Sequence, residues 1–303
     1  MSVLLGGQAV MEGVMMRRPG WVSVAVRNPA GGITVRVERA ADLTERFRLL
    51  KLPIVRGIYT LVSSLRIGFR ALEYSAEVTL QEEPGQRPWY MVPVMVFSVL
   101  AALGVFLVLP VWITELSSMI LPILTRSTIL FNIVEGIIRL GFFLGYVVGI
   151  SFLPDIKRFF EYHGAEHQSI HAYEEGGALT IARARGKNPR HPRCGTSFIM
   201  AVVVVAMMIF SLLPGGVSLP VKAALRLLLL PLIAGVAYEF IRYSSRSNRQ
   251  WLFSLLATPG LWLQKLTTAV PDDSMLEVAI AAINALISPE EGVRRSVADA
   301  SLG

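Results

Sequence analysis

The stretch Met91–Ile113, MVPVMVFSVLAALGVFLVLPVWI, carries no charged side chain and is long enough to cross a bilayer as a helix, which takes ~20 apolar residues. Three further stretches share its character. Thr128–Leu153 is interrupted by Glu135 and Arg139, Ser197–Leu213 is short, and Ala223–Ile241 has Arg226 and Glu239 near its ends. Leu213-Pro214-Gly215-Gly216 stops the third and turns the chain, so the third and fourth read as a helical hairpin. With 53% hydrophobic residues over 303 positions, the chain is too apolar for an ordinary soluble domain. The expected fold is mostly α, with about four transmembrane helices over residues 90–241, interfacial amphipathic helices and a small N-terminal β-hairpin unit.

Lysine and arginine set the expected orientation. Twelve precede the first stretch, seven lie between Pro154 and Thr196 and six follow Ile241, whereas the two remaining loops hold only Arg126 and Lys222. Both termini and the loop at 154–196 are therefore expected on the cytoplasmic side. The net charge of +7 follows from this asymmetry and from anionic lipid headgroups as neighbours, so the partners expected are the bilayer and its headgroups rather than nucleic acid. No signal-peptide core is expected near the start, where Glu12, Arg17 and Arg18 interrupt the apolar residues. The lone cysteine, Cys194, cannot form an intrachain disulfide.

Residues 1–89 and 242–303 flank the apolar part. Val22, Val24 and Val26 alternate, Pro29-Ala30-Gly31-Gly32 turns the chain, and Ile33, Val35 and Val37 alternate again, which predicts a β-hairpin. The Gly- and Met-rich segment ahead of it, GGQAVMEGVMMRRPG, either packs or lines a site. Between Pro53 and Val78 apolar residues recur every three or four positions among Arg56, Arg66 and Arg70. Such a helix lies in the membrane interface or packs on the protein's own helices. Glu73 and Glu77 share one face and could add ligands. Near the C-terminus, Trp251 and Trp262 among leucines suit an interfacial segment that Thr258-Pro259-Gly260 breaks; Pro271-Asp272-Asp273-Ser274 then caps a helix that docks on the hairpin unit.

The chemistry is concentrated in the central loop. All four histidines fall between His163 and His191, and Cys194 follows three residues later. Histidine and cysteine suit soft or borderline metals. On a helix, His163 and His167, or His167 and His171, are separated by ~6 Å of rise and can chelate one ion, but His163 and His171 are ~12 Å apart. One outer histidine therefore binds a second ion or meets His191 and Cys194 from the other end of the loop, unless the helix breaks. His163-Gly-Ala-Glu166-His167 has the order of inverse zincins, in which two histidines hold zinc and the glutamate is the base. Cys194 could instead be a nucleophile with His191 as its base. Pro192 and Gly195 shape a turn, with Thr196 or Ser197 as helix cap, and the helix bearing His163 is expected to continue the second apolar stretch. Glu135 and Arg139, one turn apart, are either functional or snorkel to the outer interface.

GGQAVMEGVMMR at Gly6–Arg17, ALEYSAE at Ala71–Glu77, YHGAEH at Tyr162–His167, HPRCGTSF at His191–Phe198 and PDDSMLEVAI at Pro271–Ile280 together resemble the YqhQ-like family of bacterial multi-pass membrane proteins. Gln168 and Ser169 depart from the Lys and Thr of that pattern without touching the proposed ligands. The resemblance implies a bacterial cytoplasmic-membrane protein with a His/Cys metal site, predicted to be a metal-dependent enzyme; it supplies no substrate. The expectation is a membrane-embedded hydrolase with Glu166 as base and His163, His167, His171, His191 and Cys194 as the ligand pool for a divalent transition metal, zinc or else iron. Its substrate would be lipid-linked or membrane-proximal. The alternatives are a scaffold or regulatory protein with a structural metal, and a membrane di-iron oxidase, whose sites need more histidines.

Overall fold

The computed structural model of the chain describes residues 5–40, 47–81, 91–192, 194–213, 217–246 and 250–289. Strands β1 (Gly6–Val10), β2 (Gly13–Arg18), β3 (Trp21–Arg27) and β4 (Ile33–Arg39) form one antiparallel sheet in sequential order. Helices follow: α1 (Val55–Leu80), α2 (Met91–Leu103), a π-helical stretch at Gly104–Val108, α3 (Leu109–Ile120), α4 (Ile123–Arg126), α5 (Thr128–Ile150), α6 (Pro154–Glu174), α7 (Ile181–Ala184), α8 (Gly195–Phe210), α9 (Leu219–Arg246), α10 (Gln250–Thr267) and α11 (Asp273–Ile287).

The expected hairpin is β3–β4, but the sheet extends further. The Gly- and Met-rich segment forms β1–β2, in register Gly7↔Met16 and Ala9↔Val14. Their tight connection places Glu12 at φ 48, a left-handed conformation suited to a two-residue hairpin loop. A sheet covered on both faces loses its polar alternation. On one face Val10, Met15, Val22, Val24 and Val26 pack against α1 at Ala71. On the other, Ala9, Val14, Met16 and Ala25 share a core with Tyr162 and Ile170 of α6 and with Met275, Ala279 and Ile283 of α11. Ser23 is buried on that side and donates to the Ala282 carbonyl at 2.7 Å. The C-terminal helix docks on the sheet as expected, capped by Asp272, whose carboxylate accepts from the Met275 N–H at 2.9 Å.

Three helical runs are long and apolar enough to cross a membrane: Val92–Ile120, Thr128–Ile150 and Leu219–Tyr243. Of the four expected, the third falls short: α8, with 16 residues, spans ~24 Å against the ~30 Å of a hydrocarbon layer. Three therefore replaces four among the described residues. The hairpin pairing itself holds, since Ala201, Val205 and Phe210 of α8 pack on Ile233 and Ala237 of α9. Pro214, Gly215 and Gly216 lie outside the described residues, as do Arg193, Arg294 and Arg295 and the side chains of Trp251, Leu252, Leu255 and Leu256. Two further expectations are corrected. The helix bearing His163 does not continue the second apolar stretch, because α5 ends at Ile150 and Leu153 is extended ahead of Pro154; a residue before proline is disfavoured in the α region. Pro259, by contrast, sits inside α10 without ending it.

α1 packs on the protein's own helices. Gly57 lies against the backbone of Gly235, where an added Cβ would sit 2.8 Å from the carbonyl oxygen, and Arg56 pairs with Glu239. Its outer face still carries exposed Val62, Leu65 and Phe69 beside exposed Arg66 and Arg70. Glu135 and Arg139 do not snorkel. Glu135 is 1% exposed and Arg226 2%, with 2.7 Å between them; Arg139 pairs with the same carboxylate and donates to the Phe106 carbonyl at 3.0 Å.

Candidate metal centre

α6 runs unbroken through all three of its histidines, so one helix supplies His163, His167 and His171 on successive turns. Its N-terminal proline and Asp155 favour the start of that helix. The loop after α7 returns His191 and then Cys194, which is itself the N-cap of α8, the place sequence gave to Thr196 or Ser197. The Cys194 N–H donates to the His191 carbonyl at 3.2 Å, so one turn fixes the spacing of both side chains.

The five expected ligands fall into two neighbouring groups. His163, His167 and Cys194 bring one ligand atom each within 4.8 Å of one another, and His171, Glu174 and His191 do the same. The rings form a row: His163 to His167 is 4.5 Å between centroids, His167 to His191 5.8 Å and His191 to His171 4.6 Å. Of the expectations for the outer histidine, His171 leaves the first group and meets His191, whereas Cys194 stays with His163 and His167. Cys194 partners His163, whose Nε2 lies 3.2 Å from its Sγ, so the His191–Cys194 pair considered for nucleophilic chemistry is replaced. Neither Glu73 nor Glu77 joins a ligand group among the described residues.

Backbone carbonyls orient the rings. His163 Nδ1 meets the Thr267 carbonyl at 2.8 Å and His167 Nδ1 that of Pro189 at 2.6 Å. With Nδ1 committed as donor, Nε2 of each is left as the metal-binding nitrogen, the usual arrangement behind a ligating histidine. His167 is almost wholly buried, and its Nε2 has no hydrogen-bond partner. A buried polar atom without a partner is costly. A cation bound by two imidazoles and one thiolate would satisfy it, and the donor set fits zinc or iron better than magnesium.

Glu166 is buried beside this group, its carboxylate accepting from the Gly7 N–H. Burial pushes it up to about 8, with Cys194 adding to the shift and His163 and the Gly7 N–H opposing it. Burial likewise holds His167 down to about 2, helped by His163, and His191 down to about 4, helped by His171. His191 is thus neutral near pH 7, and its 3.5 Å approach to Glu174 is not a charged pair. Burial also raises the Cys194 thiol against donors from Thr196 and Gly195. Burial here favours neutral groups, and a bound cation would reverse that preference.

The cation-free chain is accordingly expected to be most stable near pH 6.5. Folding raises Glu166 from 4.5 to about 8, so the folded state keeps a proton that the unfolded chain releases, and stability falls as pH rises across that window. Folding lowers His167 and His191 from 6.5, so the unfolded chain gains protons below that value and stability falls as pH drops. Two histidines outweigh one glutamate on the acid side. Thermal melts of chelator-treated protein in detergent, from about pH 5 to 8.5, check this; stability climbing steadily above the histidine range contradicts it.

Sequence did not single out several groups around the site. Gln264 is buried and clamps the His191 backbone from both sides, accepting its N–H at 2.8 Å and donating to its carbonyl at 3.0 Å. Gly7 brings β1 against Glu166, so the Gly-rich segment both packs and lines the site. Glu12, in the β1–β2 turn, holds Arg158 at 2.5 Å and meets the Tyr162 hydroxyl at 3.4 Å. Glu174 is not among the missed groups: His171-x-x-Glu174, like His163-x-x-Glu166, is a spacing that could supply part of the carboxylates of the di-iron alternative.

Residues 52–289 match a family model described as "Protein of unknown function (DUF1385)". Over 299 residues the chain is 33% identical to the Bacillus subtilis (strain 168) protein named "Uncharacterized protein YqhQ", covering 94% of this chain and 92% of that relative. No solved structure matches. The likeness seen in the sequence blocks is therefore one of descent across nearly the whole length, and the chain belongs to the DUF1385 family of proteins of unknown function, with YqhQ among its relatives.

Proposed function

We propose that this chain is a metal-dependent hydrolase of the bacterial cytoplasmic membrane, with both termini inside and its site at the inner face. Its substrate is lipid-linked or membrane-proximal, and its other neighbours are anionic headgroups. The observation that carries the reading is the convergence of His163, His167 and Cys194, with Glu166 buried beside them, at the start of the apolar helix α8. Exposed Arg66 and Arg70 next to Phe69 on α1 support the lipid partner. Zinc is the preferred ion and iron the alternative, because a thiolate joins two imidazoles.

When bound, the ion supplies a Lewis acid that makes water acidic near neutral pH. His163 and His167 would hold it through the ring nitrogens left free by the bonds that the Thr267 and Pro189 carbonyls accept from Nδ1. Glu166 would take the proton of the attacking water and return it to the leaving group, a role open to a buried carboxylate once a neighbouring cation favours its ionised form. The Gly7 N–H holds that carboxylate in place.

Purified with zinc in mixed micelles, the protein is expected to hydrolyse chromogenic esters or phosphodiesters. Glu166→Gln should retain zinc and lose about 10²–10⁴-fold in rate. No stoichiometric transition metal in the wild type, or a full rate in Glu166→Gln, removes the hydrolytic reading. A structural-metal scaffold is favoured by one feature: the His163 and His167 bonds also tie α10 and the Pro189 loop to α6. That reading wins if His163→Ala abolishes folding while Glu166→Gln leaves function intact.

A further inference from the structure

We propose that His171, Glu174 and His191 hold a second divalent transition-metal ion beside the first, making the centre dinuclear and chemically asymmetric. The inference deepens the reading above and rests on it only for the neighbouring ion. Because α6 is continuous, His171 stands two turns beyond His163, ~12 Å along the axis, and cannot serve the same ion. Yet its ring is not released to solvent. Its Nε2 meets the Arg190 carbonyl at 3.1 Å, which orients the ring and leaves Nδ1 as the other nitrogen, and its centroid lies 4.6 Å from that of His191. Glu174 follows on the same helix face, three residues on.

The third ligand arrives preorganised. Gln264 fixes the His191 main chain through both its N–H and its carbonyl, at 2.8 and 3.0 Å, without using the ring. The His191 Nε2 and Glu174 Oε2 atoms are 3.5 Å apart, long for a direct hydrogen bond but suited to two ligands aimed at one point between them. Two imidazoles and a carboxylate form a harder donor set than two imidazoles and a thiolate, so the two positions differ in preference: zinc at Cys194, and zinc, iron or manganese at Glu174. The positions adjoin through the 5.8 Å contact between the His167 and His191 rings. Paired ions next to one another suit phosphoester cleavage, where both the attacking and the leaving oxygen need charge compensation. The substrate class thereby narrows to a phosphoester at the membrane surface.

Full-length protein in detergent, stripped by chelator and dialysed against cobalt(II), provides the test. The wild type should bind about two cobalt ions per chain and show a thiolate-to-cobalt charge-transfer band. Glu174→Gln should lose about one equivalent and keep the band; Cys194→Ser should lose the band and keep about one equivalent. Thermal melts establish that each variant is folded. A wild type that binds about one ion, with the band present and Glu174→Gln unchanged, overturns the second site and leaves the first standing. A wild type that binds one ion without the band, lost in Glu174→Gln, removes the first site and the dinuclear centre with it. No cobalt binding at all overturns both.

Discussion

The Gly164→Ala substitution is expected to dismantle the histidine layer rather than trim it. An added Cβ there would stand 1.9 Å from the Ala269 carbonyl oxygen, with Pro271 Cδ at 3.4 Å behind. The obstacle is backbone, so no rotamer change relieves it. Nor can the 268–271 segment retreat cheaply, because the Ala269 N–H donates to the Phe160 carbonyl at 3.0 Å. Just ahead of it, at the end of α10, lie Thr267, which orients His163, and Gln264, which clamps His191. Overpacking plus the lost hydrogen bonds amounts to about 3–5 kcal/mol. Thermal melts and cobalt binding in detergent should fall together. Gly149→Ala is the control, since nothing lies within 4 Å of its added Cβ and alanine is the better helix former. A Gly164→Ala melting temperature within about 2 °C of wild type would refute the close contact.

Glu135→Leu is expected to be comparably severe for a different reason. Glu135 serves both Arg139 and Arg226, and the latter also donates to Asn132 Oδ1 at 2.9 Å. Nε and Nη1 of Arg226 are already buried without hydrogen-bond partners. Removing the carboxylate leaves two guanidinium groups in an apolar bundle, and breaking a buried pair in this way costs about 3–5 kcal/mol. Adding Arg226→Met to Glu135→Leu removes one orphaned charge at similar volume and should recover a large part of the loss. Simple additivity of the two substitutions in a double-mutant cycle would show that the charges are not coupled.

The sequence revealed the candidate metal centre through depletion: the histidines and the cysteine occur nowhere else, and the four-residue spacing of His163, His167 and His171 requires only a helix to acquire meaning. It also limited what one ion could reach, so the split into two groups follows from helical rise. Gln264 was hidden because its role exists only once α10 meets α6, whereas the Gly-rich segment of Gly7 was legible as packing or lining a site without showing which residue it would meet. β1 and β2 were missed because a strand buried on both faces shows no alternation, and each holds a single β-branched residue, Val10 and Val14, against Val22, Val24 and Val26 in β3. The shortness of α8 was partly legible: its apolar run was visible, but the start at Gly195 and the end at Phe210 were set by the site at one end and by the following turn at the other. The interruption ahead of α6 was legible in Pro154 itself.

The core that backs the histidine helix draws on Val14 and Met16 from the beginning of the chain and on Met275, Ala279 and Ile283 from near its end. During synthesis the imidazoles therefore emerge from the ribosome well before the last wall of their chamber has been translated. If the site takes up an ion as proposed, uptake would have to wait for that wall, because a chain aborted before α11 would carry the histidines without Met275, Ala279 and Ile283 behind them.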